Sequence, residues 1–327
     1  MSEAPANAAP TLDDVLAAAG RIAGEVRHTP VLTCASIDEI VGMRLFFKCE
    51  NFQKVGAFKF RGATNAVRML SDDEAAQGVV THSSGNHAQA LALAAKRRGV
   101  AAWIVMPTNA PAVKRRAVEG YGATIVDCEP TLAAREAGAE AVISETGAAF
   151  VHPYDDARII AGQGTAGLEL MDDVLGLDAV IAPVGGGGLM SGTCIAVRGL
   201  NPAVKLYGAE PAEADDARQS LDAGTLIPVG AANTIADGLR TSLSDLTFGI
   251  LRTHLDGLPT VAEEEIVNAM RLVWERMKIV IEPSAAVPLA ACARLHPELE
   301  GKRVGIILSG GNVDLDRLPW VVGASRP

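Results

Sequence analysis

Aromatic residues are scarce, with Phe, Trp and Tyr making up 4% of the 327 residues. Cations are outnumbered as well: 29 Lys and Arg stand against 39 Asp and Glu, a formal net charge of −10. A chain short of both cannot neutralise a phosphate backbone or stack bases, so no nucleic-acid partner is expected. Long apolar runs are missing too. The greasiest stretch, Ile279 to Ala293, contains Glu282, Pro283 and Pro288 and falls short of the roughly 20 apolar residues of a membrane span. Only five cysteines occur (Cys34, Cys49, Cys128, Cys194, Cys292), far apart and without a C-x-x-C pair. That pattern excludes a disulfide framework and a thiolate zinc site, and suits reduced thiols in a cytosol. Met1 to Pro10 is rich in Ala and Pro and lacks a basic or apolar leader segment. It reads as a loose tail with no secretion signal, so a cytoplasmic location is expected.

What is present is ordinary globular material, 49% apolar and 21% charged, enough for two domains or one large one. Short β-rich runs occur at Leu45–Cys49, Val79–His82, Ala102–Met106, Thr124–Asp127, Ala179–Pro183, Lys205–Ala209 and Arg303–Leu308. Several are nearly continuous hydrophobes, as strands of a parallel sheet covered on both faces should be. Amphipathic segments lie between them: one from Leu12, capped by Thr11, then Asn86–Arg98, Ala112–Tyr121, Leu132–Thr146, Gly164–Leu175, Glu263–Met277 and Ala285–Leu295. This alternation predicts an α/β fold of open, doubly wound sheets. The βαβαβα set between about Gly78 and Val151 suggests a small mobile domain over 76–154, with 1–75 and 155–327 building the larger one. In such folds ligands sit beyond the carboxyl ends of the strands.

Four segments at such ends stand out. Gly185-Gly186-Gly187-Gly188 follows a strand and enters the helix Leu189–Arg198. Bare glycine backbone at a helix N-terminus suits a phosphate, although a flexible linker is the plainer reading. The loop is neither a Walker loop nor a dinucleotide fingerprint. Ser83-Ser84-Gly85-Asn86-His87 opens a helix and suits a carboxylate or phenolic oxygen, or is a simple N-cap. Ser309-Gly310-Gly311-Asn312 holds one hydroxyl at a strand end, or is an ordinary turn. In the turn from Asn51 to Ala63, Lys59 is flanked by Phe58 and Phe60. An apolar setting lowers a lysine pKa and frees a nucleophilic amine. The plain alternative is a surface lysine, the reading adopted for Lys48 and Lys54. A phosphate cradle with a half-buried lysine suits a phosphorylated aldehyde held as a Schiff base, and pyridoxal phosphate is the one that acts as an electron sink.

Gly56–Ala63 (GAFKFRGA), Ser83–His87 (SSGNH), Gly185–Leu189 (GGGGL) and Ser309–Leu315 (SGGNVDL) occur in that order. The chain thereby resembles the fold-type II pyridoxal-phosphate enzymes from about Leu12 to Trp320, and within them the serine racemase, threonine dehydratase and 3-hydroxyaspartate dehydratase group. The resemblance implies a tryptophan synthase β-like fold. It makes Lys59, next to Phe58, the covalent anchor of the cofactor. It assigns the phosphate to Gly185 through Gly188, the ring oxygen to Asn86 and the ring nitrogen to Ser309. Ser84 would be the second acid/base on the face opposite Lys59. Ser83, Ser84, Gly85, Asn86 and His87 would hold the α-carboxylate of a small amino acid.

The same resemblance assigns a divalent cation (Mg²⁺, Mn²⁺ or Ca²⁺) to Glu210, the Ala214 carbonyl and Asp216, a set of hard oxygens suited to such ions. The plain reading of that stretch is a solvated acidic loop. Arg135 and Thr241 stand where the group places an arginine and a hydroxyl near the substrate side chain. A guanidinium there can take a second carboxylate, although Arg135 also reads as a surface charge. Two departures count: Ala57 replaces a common serine, and Tyr154 stands where mammalian-type racemases carry asparagine, which argues against efficient racemisation. No regulatory domain is expected after Trp320, and Gln89 alone does not argue for nucleotide activation.

The expectation is a homodimeric ammonia-lyase of the EC 4.3.1 type that eliminates water from 3-hydroxyaspartate, and also from serine or threonine. The products are a 2-oxo acid and ammonia, with minor racemisation. Serine racemase and catabolic threonine/serine dehydratase are the neighbouring alternatives. A nicotinamide-dependent dehydrogenase and a non-catalytic ligand-binding module are the remote ones.

Overall fold

In the computed structural model, residues 8–110 and 112–320 are described; most of the expected N-terminal tail lies outside them. The chain runs through α1 (Leu12–Ile22), β1 (Val31–Leu32), α2 (Ala35–Val41), β2 (Arg44–Cys49), α3 (Lys59–Met69) and α4 (Asp72–Gln77). A second block follows: β3 (Val79–His82), α5 (Asn86–Arg98), β4 (Ala102–Pro107), α6 (Ala112–Gly120), β5 (Thr124–Cys128), α7 (Leu132–Thr146) and β6 (Ala149–Phe150). Next come α8 (Ala157–Asp173), β7 (Ala179–Pro183), α9 (Gly188–Leu200), β8 (Lys205–Pro211), α10 (Asp216–Ala223) and α11 (Asp245–His254). β9 (Thr260–Val261), α12 (Glu263–Met277), α13 (Pro283–Leu299) and β10 (Arg303–Leu308) complete the order.

All seven expected strands are present. With the short strands β1, β6 and β9 they form a six-stranded sheet, β1-β2-β10-β7-β8-β9, and a four-stranded sheet, β5-β4-β3-β6. Every pairing is parallel except β1 with β2. Both faces of each sheet are covered, which is why the strands read as continuous hydrophobes. Ala179 and Ile181 of β7 join one apolar cluster, while Val180 and Ala182 join the cluster on the other face. In the small sheet Val79 and Val80 of β3 divide in the same way.

The element order reverses once in each sheet. In the large sheet β7, β8 and β9 step outward, and the chain then returns to lay β10 on the other side of β7. In the small sheet β3, β4 and β5 step one way and β6 returns beside β3. These switch points open crevices at the carboxyl ends of β7/β10 and β3/β6. The tetraglycine run, Ser309, Ser83–Asn86 and His152–Tyr154 all follow these four strands directly.

Two expectations need correction. The turn read from Asn51 to Ala63 ends at Phe58, because Lys59 opens helix α3. Phe60, Ala63 and Val67 recur there at helical spacing and are buried, a pattern that the glycines and phenylalanines of the motif obscured. Lys48 is no surface lysine: it is fully buried, with Nζ 2.8 Å from Glu169, 3.0 Å from Asp173 and 2.7 Å from the Thr29 carbonyl oxygen. An alternating strand pattern cannot show that carboxylates from α8 reach under β2. Lys54 is half-buried and donates to the Glu25 carbonyl. The short edge strands β1, β6 and β9 and helices α2, α4, α10 and α11 carry too few periodic residues to have stood out.

Helices α8 and α9 cross so closely that a Cβ on Gly192 would strike the Ile160 carbonyl oxygen and the Gly164 backbone. Alanine in a helix is favoured over glycine by about 1 kcal/mol, whereas overpacking costs about 1–3 kcal/mol and backbone cannot swing aside. Gly192→Ala is therefore expected to destabilise the protein by about 1–2 kcal/mol, read as a lower urea midpoint at unchanged slope.

Candidate active site

Lys59 stands at the first position of α3, and residues one turn further along hold that helix in place. Arg61, fully buried, pairs with Glu50 at 2.7 Å and with Glu169 at 2.7 Å. Two backbone links tie the preceding segment to the end of β10: the Phe58 N–H donates to the Ser309 carbonyl at 3.0 Å, and Ala57 bridges Gly310. With α3 fixed in this way, the Lys59 ammonium points inward. It donates to the Pro153 carbonyl at 2.7 Å and lies 5.2 Å from the centre of the Phe58 ring. Burial lowers its pKa to about 8, against an opposing pull from the Glu282 carboxylate. A substantial neutral fraction at physiological pH is what a nucleophilic lysine needs.

After β7, α9 begins at Gly188, and Gly187 takes the left-handed conformation with φ 83°. Side chains would not fit on this loop. A Cβ on Gly186 would enter the Tyr154 ring, and one on Gly185 would come within 2.8 Å of Leu239 Cα. The loop therefore presents bare backbone at a helix N-terminus, the setting that holds a phosphate.

Ser83, Ser84, Gly85 and Asn86 are half-buried at the start of α5. Glu282, the residue before α13, was not singled out in the sequence and proves central. Asn86 Nδ2 donates to its two oxygens at 2.9 and 3.2 Å, and the Asn312 N–H donates to it at 3.1 Å. Asn312 Nδ2 also donates to Asn86 Oδ1 at 2.9 Å. Burial, with Asp237 adding to it, raises the Glu282 pKa to about 7 in spite of these donors. The polar residue just before Pro283 at a helix start was its only signal, and that signal describes a cap as readily.

Residues 22–310 match the pattern of a known family, described as pyridoxal-phosphate dependent enzyme. The chain belongs to that family. It is 52% identical over 311 residues to the beta-hydroxyaspartate dehydratase of Paracoccus denitrificans, covering 95% of this chain and 99% of that one. It is 48% identical over 318 residues to the L-threo-3-hydroxyaspartate ammonia-lyase of Saccharomyces cerevisiae, covering 97% and 98%. The crystal structure of serine racemase from Dictyostelium discoideum superposes with TM-score 0.91 at 52% identity, over 94% of this chain and all of the other. The expected α/β fold of this enzyme group is thereby borne out.

The residues fit the family cofactor, pyridoxal phosphate. Bare glycine backbone lies against Tyr154, the preceding Pro153 carbonyl receives the desolvated lysine, and Ser309, 2% exposed, closes the end of β10. The remaining expected residues scatter more. His87 is buried and turned toward β6, its Nε2 donating to the Val151 carbonyl at 3.1 Å; burial holds it neutral, well below the usual histidine range. Only its backbone N–H at the start of α5 is placed to receive an anion. Arg135 is half-buried on α7, near enough to His82 to depress that imidazole's pKa alongside burial. It pairs with no carboxylate among the described residues. Thr241 is exposed on the loop after the short turn Asp237–Leu239. Glu210 and Asp216 are buried. Glu210 accepts from the Ala217 and Arg218 N–H groups at 3.3 and 2.9 Å, while both Asp216 oxygens lack a partner. No group of three His, Cys, Asp or Glu able to hold a metal occurs among the described residues. No helix among them is long and apolar enough to cross a membrane.

The raised Glu282 pKa has a signed consequence. Between about 4.5 and 7 the folded carboxylate holds a proton that the unfolded one has lost, so stability falls as pH rises through that window. The slope is at most about 1.4 kcal/mol per pH unit. Glu282→Gln, which cannot titrate, is expected to flatten this part of the stability profile measured by urea unfolding on cofactor-free protein.

Proposed function

We propose that this enzyme is a pyridoxal-phosphate ammonia-lyase that eliminates water from 3-hydroxyaspartate, and more slowly from serine or threonine, to give a 2-oxo acid and ammonia. The observation that carries the reading is the desolvated Lys59 amine, bonded to the Pro153 carbonyl next to the tyrosine that packs on the bare tetraglycine loop. The cofactor, when bound, supplies the electron sink that makes the α-hydrogen of an amino acid acidic. Lys59 would hold the cofactor covalently, and its Nζ, or Ser84 for the other stereochemistry, would take the α-proton. Gly185 through Gly188 bind its phosphate, with Phe58 alongside. Asn86, oriented by Glu282 and Asn312, would bind its ring oxygen, and Ser309 would serve its ring nitrogen. A neutral serine does not keep that nitrogen protonated, which favours elimination over prolonged carbanion chemistry. Ser84 is the acid/base of the opposite face, and minor racemisation follows from proton return there. The N–H groups and hydroxyls of Ser83 to His87 hold the α-carboxylate.

The choice of a dicarboxylic substrate rests on Arg135. A half-buried guanidinium without a carboxylate partner among the described residues, beside a neutral His82, is a vacancy for a second carboxylate; Thr241 lies on the loop assigned to the same end of the substrate. The unpartnered oxygens of Asp216, with Glu210 and the Ala214 carbonyl, fit Mg²⁺, Mn²⁺ or Ca²⁺ in a structural role away from the chemistry. A cytoplasmic homodimer with a small mobile domain over 76–154 completes the reading, with 1–75 and 155–327 forming the cofactor-binding domain.

Purified protein is expected to show the visible cofactor band and Lys59→Ala to lose it; a band that survives the substitution rules out the covalent assignment. Arg135→Ala should lower kcat/KM for 3-hydroxyaspartate by about 100-fold, as loss of a charge-assisted pair of about 1.5–3 kcal/mol implies, and leave serine nearly untouched. Chelation should lower the melting temperature, and added Mg²⁺ should restore it.

A further inference from the structure

The block that carries the small sheet meets the rest of the protein on two unlike sides. On one, α5 packs along α3 and shares with it an apolar cluster of Phe60, Ala63, Val67, Ala88, Leu91 and Ala95. Apolar contact is non-directional, so this seam can serve as a hinge. On the other side, toward the segments that follow Gly185, the side-chain links among the described residues are polar and lie at two places. Asn86 meets Glu282 and Asn312, and Lys114 of α6 donates from Nζ to Asp237 Oδ2 at 2.8 Å. The acceptor is firmly seated. Asp237 opens the turn Asp237–Leu239, whose Gly238 N–H donates to Ser284 Oγ at 3.1 Å. Leu239 Cα of that turn lies 2.8 Å from where a Cβ on Gly185 would stand. Lys114 thus reaches from the small-sheet block to a turn that rests on the glycine loop. Both partners also act on Glu282: Asp237 adds to burial in raising its pKa, and Lys114 opposes the rise. The ion pair and the Asn86 contact therefore belong to one junction.

We propose that Lys114 and Asp237 are positioning residues, a polar latch that holds the start of α5, with Ser83 to His87, against the large-sheet half of the site. The Lys114 side chain is 26% exposed and that of Asp237 48%. A pair so exposed adds little to a fixed structure, but this one spans two bodies, and a small bias is enough to shift an open–closed equilibrium. Both residues act through the placement of α5 and not through the reacting atoms. Substrate that bridges the two halves favours closure by itself, so loss of the latch lowers affinity by the fraction of free enzyme left open and spares the saturated rate. The inference rests on the lyase reading above, with its mobile small domain and its carboxylate held by Ser83 to His87, and adds what keeps that domain in place.

Lys114→Met keeps the aliphatic stem and removes the charge. On variant and parent enzyme with matching visible cofactor bands, KM should rise about three- to fivefold for 3-hydroxyaspartate and serine alike, while kcat changes by less than about twofold. Asp237→Asn should give the same rise, and the two substitutions together no more than either alone. Without substrate, amide hydrogen exchange over Ser83 to Asn86 should quicken by about the same factor in Lys114→Met. A KM rise confined to 3-hydroxyaspartate makes Lys114 a ligand of the second carboxylate and overturns the latch. Additive losses, an unchanged KM, a fall in kcat in place of the KM rise, or unchanged exchange overturn it as well, and leave the lyase reading standing. Parent enzyme that releases no ammonia from either substrate overturns the lyase reading, and the exchange comparison then decides the latch by itself.

Discussion

A lysine ammonium that water cannot fully solvate is the constraint on which this structure depends. Removing that charge from water is unfavourable, and the fold meets the cost with one carbonyl, from Pro153, and a distant carboxylate, Glu282. The compensation is incomplete, which is why the amine is depressed to about 8 and able to act as a nucleophile. Holding such a group in place requires rigidity elsewhere. The buried Arg61, clamped between Glu50 and Glu169, fixes the first turn of α3, from which Lys59 projects. Breaking one member of that cluster would leave an unpaired buried charge, a heavier loss than the pair's net gain.

The second determinant is topological. Each sheet has one point where successive connections diverge, and the segments leaving those strands are the ones to which the proposed chemistry is assigned. Tetraglycine follows β7, Ser309 follows β10, the serine loop follows β3, and Pro153, whose carbonyl receives Lys59, follows β6. The large sheet thus brings the anion cradle, and the small sheet brings the groups that suit a carboxylate. Where the two meet, space is so tight that glycine is dictated by neighbours as much as by φ. Tyr154 and Leu239 leave no room for a side chain on the loop, so the cradle is bare by packing as well as by composition.

Buried polar groups recur at this junction, and they are paired with unusual completeness on one side and incompletely on the other. Glu282 accepts from Asn86 and Asn312, which also bond each other, so the amide of Asn86 has one orientation. Asp216, by contrast, keeps two unpartnered oxygens, and Arg135 has no carboxylate among the described residues.

Much of the fold was legible beforehand, because strand runs such as Val79–His82 and helices such as Asn86–Arg98 carry their period in the residues themselves. Their observed bounds coincide with the expected ones. The glycine loop and Lys59 were legible for a similar reason: a missing Cβ and a lysine between phenylalanines are properties of the local chain. The short edge strands β1, β6 and β9 were not, being two residues long and paired only through partners distant in sequence. Nor was the buried state of Lys48, which depends on Glu169 and Asp173 arriving from α8. Glu282 and Tyr154 belong with these. Sequence by itself determined which segments are strands, helices and bare turns, because those depend on neighbours a few residues apart. Only the tertiary structure decided which side chains share a dry cleft and therefore which pKa values move, because desolvation and pairing are set by groups brought together across the chain.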